Sequence, residues 1–147
     1  MCCENRLPAN VSLSLGALIE PLSVAMHAHT RAALKTSSTV LVLGAGAIGL
    51  LVAAVAKAQE ASRVVIADIQ QARLDFATAN GYADASFLVP AERPDTIGEK
   101  LAYAQKVAEL AKATTDSRGT AVGEVDCVFE CTGVETCVQT AIYVRPP

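Results

Sequence analysis

The stretch TVLVLGAGAIGLLVAAVA, residues 39–56, carries no charged side chain, and no Lys, Arg, Asp or Glu lies between Lys35 and Lys57. Eighteen uncharged residues just reach the length of a membrane-spanning helix. That reading, however, would bury Gly44, Gly46 and Gly49 at mid-membrane. It would also leave unexplained why a β-branched run gives way to an Ala-rich one. A soluble reading uses every glycine. VLVLG (40–44) is a short apolar run ending in glycine, as in a strand buried on both faces. AIGLLVAAVAKAQ (47–59) is rich in good helix formers. The stretch is therefore read as a core strand–turn–helix and not as an anchor.

The rest of the chain repeats the alternation. RVVIAD (63–68) reads as a second buried strand, and QQARLDFATANG (70–81) as a helix closed by Gly81. ADASFLV (83–89) is a third strand. The prolines of PAERP make a loop, and Thr96 with Glu99 forms a capping box at the start of a long helix. On that helix Ile97, Leu101, Ala104, Ala108 and Ala111 have core spacing, whereas Lys100, Lys106, Glu109 and Lys112 read as solvated. After a surface loop (116–124), EVDCVFEC (124–131) is a fourth strand and GVETCVQTAIYV (133–144) opens a fourth helix. This order predicts an α/β fold with a doubly wound parallel sheet of about four strands.

The turn itself is Gly44-Ala45-Gly46-Ala47-Ile48-Gly49, a G-x-G-x-x-G between strand and helix. Each glycine has a task in a dinucleotide-binding, Rossmann-type turn. The first permits the tight exit from the strand, the second lets a pyrophosphate approach the backbone, and the third allows close helix packing. The helix N-terminus, from Ala47 on, then offers free N–H groups to the phosphates. Asp68 ends the second strand 19 residues after Gly49, where an acid can accept hydrogen bonds from the adenosine ribose hydroxyls. A carboxylate there repels a 2′-phosphate and favours NAD over NADP; Arg73, close by, softens that preference. The competing reading is a Rossmann-like binder of another nucleotide such as S-adenosylmethionine.

Composition narrows the remaining options. Twelve Lys and Arg against fifteen Asp and Glu leave a net charge of −3, with no basic run to mark a nucleic-acid partner. The opening residues MCCENRLPAN lack the basic start and apolar core of a signal peptide, so the chain is read as cytoplasmic. Five cysteines at 2, 3, 127, 131 and 137 show no C-x-x-C spacing and read as buried thiols. His27 and His29, two apart on one helix, cannot share a metal. His27 is read as a packing residue and His29 as a surface one.

Several segments together resemble the zinc-dependent medium-chain dehydrogenases, in particular the sorbitol and polyol branch: LPANVSLSLGALIEPLSVAMHA, VLVLGAGAIGLL, VVIADIQQARL and FECTGVETCVQTAIY. The resemblance implies an NAD-binding Rossmann domain over residues 36–147, incomplete at its C-terminal end, preceded by a connecting helical segment (1–35) from a catalytic domain. It implies that Gly44, Gly46, Ala47, Gly49, Asp68 and Arg73 cradle the cofactor and that Ile48 packs on the nicotinamide. Cys131, Thr132 and Gly133 match the region flanking the adenosine ribose. Glu20, in ALIEP, matches an acid beside the catalytic zinc and is the candidate catalytic and metal-contacting residue.

The family's main zinc ligands, a cysteine and a Gly-His-Glu motif, are not in these 147 residues. The resemblance thus implies the cofactor portion of an enzyme that passes hydride between a small secondary alcohol or polyol and NAD. A complete enzyme would be a homo-oligomer, with no nucleic-acid or membrane partner. The residues here are expected to be inactive alone. The alternative is a non-catalytic NAD-binding module. A strand order of 3-2-1-4 would leave the fourth strand as an open edge carrying Val125, Cys127, Val128 and Phe129.

Overall fold

The computed structural model describes residues 6–146; Cys2 and Cys3 lie outside them. Two helices come first, α1 (Leu13–Gly16) and α2 (Ile19–Ala32). Then strands and helices alternate: β1 (Thr39–Leu43), α3 (Ala47–Ala58), β2 (Arg63–Asp68), α4 (Gln71–Ala79), β3 (Ala85–Leu88), α5 (Ile97–Ala113), β4 (Cys127–Glu130) and α6 (Glu135–Val144). The sheet is parallel with order β3-β2-β1-β4, as expected. Among the described residues no helix is long and apolar enough to cross a membrane.

Burial on both faces explains why the interiors of the central strands, residues 40–43 and 64–67, carry no polar side chain. Val40, Val42, Val64 and Ile66 face one way and pack with Ala25 of α2, Val52 and Ala56 of α3, and Leu74 of α4. Leu41, Leu43, Val65 and Ala67 face the other way, against Ala108 and Ala111 of α5 and Val144 of α6. Both faces are covered, so each of the Val, Leu and Ile side chains among them contributes about 1.5–3 kcal/mol through burial. The small residues along α3 and α5 let those helices approach closely.

Local signals fix the ends of the elements. Thr96 and Glu99 form the expected capping box: the Glu99 N–H donates to Thr96 Oγ1 at 3.2 Å, and the Thr96 N–H to Glu99 Oε2 at 3.0 Å. The Thr96 N–H first, then its hydroxyl and the Asp95 N–H, hold the Glu99 carboxyl below its ordinary pKa. After α4, Gly81 takes a left-handed φ of 72° while the Tyr82 N–H reaches back to the Ala77 carbonyl at 2.9 Å. Downstream of α5, the Asp116 carboxylate accepts from the Arg118 side chain at 2.9 Å and stands 3.2 Å from Arg63, which ties the loop to the start of β2.

Three expectations need correction. His29, not His27, is the packed histidine: it is 1% exposed, and its Nε2 donates to the Val52 carbonyl of α3 at 2.9 Å. Its ring centroid lies 4.4 Å from that of Phe129, whereas His27 is exposed. On α5, Val107 joins Ala104, Ala108 and Ala111 inside, and Ile97 and Leu101 are exposed. At the fourth strand, Val125 just before β4 and Phe129 on it are buried within the chain's own core, while Cys127 and Val128 stay half-buried, so what remains open is the backbone edge more than a continuous apolar stripe.

Candidate functional site

The site forms where β1, β2 and β4 end side by side. Gly44 leaves β1 with φ 103°, a conformation that disfavours any side chain, while its N–H donates to the Ala67 carbonyl of β2 at 2.7 Å. A Cβ on Gly49 would lie 1.8 Å from the Gly44 carbonyl oxygen, so only glycine lets α3 sit this close to the turn. Gly46 is the opposite case. It is the N-cap of α3 with no side-chain cap, and a Cβ there would meet nothing within 4 Å. The first-turn amides of α3 therefore open toward empty space and keep their hydrogen-bonding capacity.

Asp68 is 7% exposed and ties the turns together. Its Oδ2 accepts from the Ala45 N–H at 2.8 Å, and its Oδ1 from the Gln70 N–H at 2.9 Å. The Arg73 guanidinium stands 3.6 Å from Oδ2. After β4 a second acid plays a similar part. Glu130 Oε1 accepts from the Thr132 N–H at 2.6 Å and from the Thr132 hydroxyl, and its Oε2 accepts from the Gly133 N–H at 3.1 Å. Gly133, with φ 72°, completes that turn. Sequence reasoning passed over Glu130, although an acid two residues before a Thr-Gly pair was the available sign.

These turns border one cavity of about 500 Å³, lined by Gly44, Gly46, Asp68, Arg73, Cys131 and Thr132 among others. Six of the residues expected to hold a cofactor thus meet at one place. Ala47 is exposed and Ile48 half-buried on the first turn of α3, where Ile48 also packs against the core. Cys131 is not a reactive thiol: burial, with the Glu130 charge beside it, pushes its pKa up to about 11. Burial likewise raises Cys137, which lines the same cavity. A larger space of about 1060 Å³ lies elsewhere, beside β4 and α6, and holds none of the expected site residues.

The arrangement fits a dinucleotide. It offers a backbone cradle open at Gly46, unclaimed amides at a helix N-terminus, and a fixed carboxylate at the neighbouring strand end. It does not fit a zinc ion. Among the described residues no three His, Cys, Asp or Glu side chains converge, and Glu20 stands exposed in the first turn of α2.

The sequence profile of the zinc-binding dehydrogenases matches residues 47–146, more than half of the chain. The chain belongs to the zinc-binding dehydrogenase family. It is 39% identical over 143 residues to Probable D-xylulose reductase A of Aspergillus clavatus, covering 97% of this chain and 36% of that protein. It is 39% identical over 138 residues to sorbitol dehydrogenase of Ovis aries, covering 94% of this chain and 34% of the relative. The chain therefore spans about a third of the length of the curated relatives it matches. Among solved structures, a zinc-binding dehydrogenase from Sinorhizobium meliloti 1021 bound to NADP superposes with TM-score 0.72 at 27% identity. That match covers 95% of this chain and 36% of the other. The 2R,3R-butanediol dehydrogenase of Bacillus subtilis gives TM-score 0.64 at 29% identity, over 95% and 34% of the two chains. The resemblance seen in the motifs is thus a family relationship, and the four-stranded sheet is a Rossmann-type sheet of that family.

Proposed function

We propose that this chain is the nicotinamide-dinucleotide-binding portion of a zinc-dependent alcohol or polyol dehydrogenase that interconverts a secondary alcohol and a ketone. The observation that carries the reading is the single cavity bordered by the open Gly46 backbone, the Asp68 carboxylate and the Thr132 turn. In this reading the α3 amides from Ala47 onward bind the pyrophosphate. Asp68 takes the adenosine ribose hydroxyls, helped by the Cys131–Gly133 turn. Ile69 and Val134 line the same cavity although they are 63% and 48% exposed, a suitable apolar pair to enclose adenine. Ile48 supports the nicotinamide ring, which when bound accepts the hydride from the alcohol carbon.

Glu20 belongs to the proposal on the resemblance alone, as the acid near a metal whose other ligands these residues do not supply. The whole enzyme would be a cytoplasmic homo-oligomer acting on a small alcohol or polyol, as the xylulose reductase and sorbitol dehydrogenase relatives are named for.

Calorimetric titration of the full chain with NADH tests the binding half of the proposal. Asp68→Asn removes the charge and keeps one acceptor oxygen, which can serve only one of the two turn amides. It should weaken NADH by about 1.5–3 kcal/mol, roughly 10- to 150-fold, with the fold checked by circular dichroism. An unchanged dissociation constant would remove Asp68 from the site.

A further inference from the structure

The cavity holds a second arginine that neither the glycine turn nor its acid accounts for. Arg93 sits in the connection between β3 and α5, and its side chain lines the same space as Asp68 and Arg73. That connection is clipped to α5 at three points. Tyr103 donates its hydroxyl to the Pro90 carbonyl at 2.6 Å, Lys106 pairs with Glu92 at 2.6 Å, and Glu99 accepts from the Asp95 N–H at 3.2 Å. Arg93 lies between these anchors, and among the described residues no carboxylate stands within ion-pair distance of it. It also borders a neighbouring groove of about 440 Å³, but there Glu92 is taken by Lys106 and Glu99 by the capping box.

A guanidinium bordering such a cavity without a counter-charge favours an anionic group that brings paired oxygens. The Asp68 carboxylate opposes such a group less than its formal charge suggests. Oδ2 faces Arg73 and takes the Ala45 N–H, and Oδ1 takes the Gln70 N–H. We infer that Arg93 is a specificity-determining residue which, together with Arg73, lets this cavity accept an adenosine ribose bearing a 2′-phosphate as well as one bearing a 2′-hydroxyl. The inference rests on the cofactor-binding reading above and extends it from NAD to NADP. A phosphate brings close to two negative charges near neutral pH, whereas a hydroxyl brings none, so Arg93 acts on one cofactor and not the other.

Isothermal titration of the full chain with NAD⁺ and with NADP⁺ separates the possibilities, using wild type and Arg93→Ala at low and moderate salt. The expected result is that wild type binds both within about tenfold of each other. Arg93→Ala should weaken NADP⁺ about tenfold and shift NAD⁺ less than about twofold, and added salt should narrow the NADP⁺ difference. Arg93 is exposed, so its removal leaves the core untouched, and thermal melting of both proteins verifies this. Wild type that binds NAD⁺ but takes NADP⁺ about a hundredfold more weakly overturns the inference and leaves the proposed function standing. Equal losses for both cofactors, or none, overturn it in the same way. If wild type binds neither cofactor, the proposed function fails and this inference with it.

Discussion

Gly46 and Gly49 stand three residues apart in the same turn, yet alanine at each should fail for different reasons. At Gly49 the added methyl would collide with the Gly44 carbonyl at 1.8 Å, and that atom is backbone, which cannot swing aside. The helix must move off the turn, at a cost of about 3 kcal/mol. For a domain of this size that is a melting temperature lower by about 9 °C. At Gly46 the backbone is extended, with φ −80° and ψ −174°, and the methyl meets nothing. Gly46→Ala should therefore melt with wild type but bind NADH more weakly, by about tenfold or more, because the methyl occupies space the pyrophosphate needs. Thermal melts and NADH titrations on the pair check both halves. A Gly46→Ala protein with wild-type affinity would show that the phosphates do not approach there.

At the scale of elements, the seam between α2 and α3 contains the residue most sensitive to mild acid. His29 is enclosed by α2, α3 and Phe129, and burial holds its pKa below the ordinary imidazole value of 6.5, opposed in part by the Val52 carbonyl and the Gln59 side chain. As pH falls below about 6.5 the unfolded chain takes up a proton that the folded chain resists. Stability is thus fully present above that pH and declines below it. The urea midpoint should be lower at pH 5.5 than at pH 7.5, and His29→Gln, which cannot titrate, should flatten that difference. Equal slopes in the two proteins would show that His29 is not the group responsible.

The same seam shows where sequence reading stops. The strands were legible because residues buried on both faces must be apolar and β-branched, and the capping box and Gly81 were legible because they are local. Which of His27 and His29 faces inward is not local. Two residues turn a helix by roughly 200°, and the choice depends on how α2 docks on α3. Ile97 and Leu101 share the helical phase of the buried alanines, but the turn they occupy stands largely in solvent. At the site, the glycines, Asp68 and the Cys131–Gly133 turn could be found in the sequence, since backbone geometry restricts the residue types there. Glu130 carried only a faint local sign, an acid two residues before Thr132-Gly133, and Arg93 carried none, because its place depends on a loop meeting the turns from a distant part of the chain.

For the molecule as a whole, binding and turnover come apart. The cavity presents an open backbone at Gly46 and a fixed carboxylate at Asp68, features that suit the proposed nucleotide, whereas the chemistry of a zinc dehydrogenase needs a Lewis acid to acidify the alcohol. Three donors at suitable spacing are the least a catalytic zinc takes from the protein. Among the described residues no such set of side chains converges. The 147-residue chain should therefore retain NADH in a titration and yet give no NADH production above background from sorbitol or xylitol, with or without added zinc. The two measurements must be made on the same preparation, because loss of binding would make absent turnover uninformative. Zinc-dependent turnover by this chain would mean that a metal is assembled from side chains that do not meet in this fold. Binding without turnover is the outcome that a cofactor-binding portion without its metal donors requires, and a non-catalytic NAD-binding module would give it too.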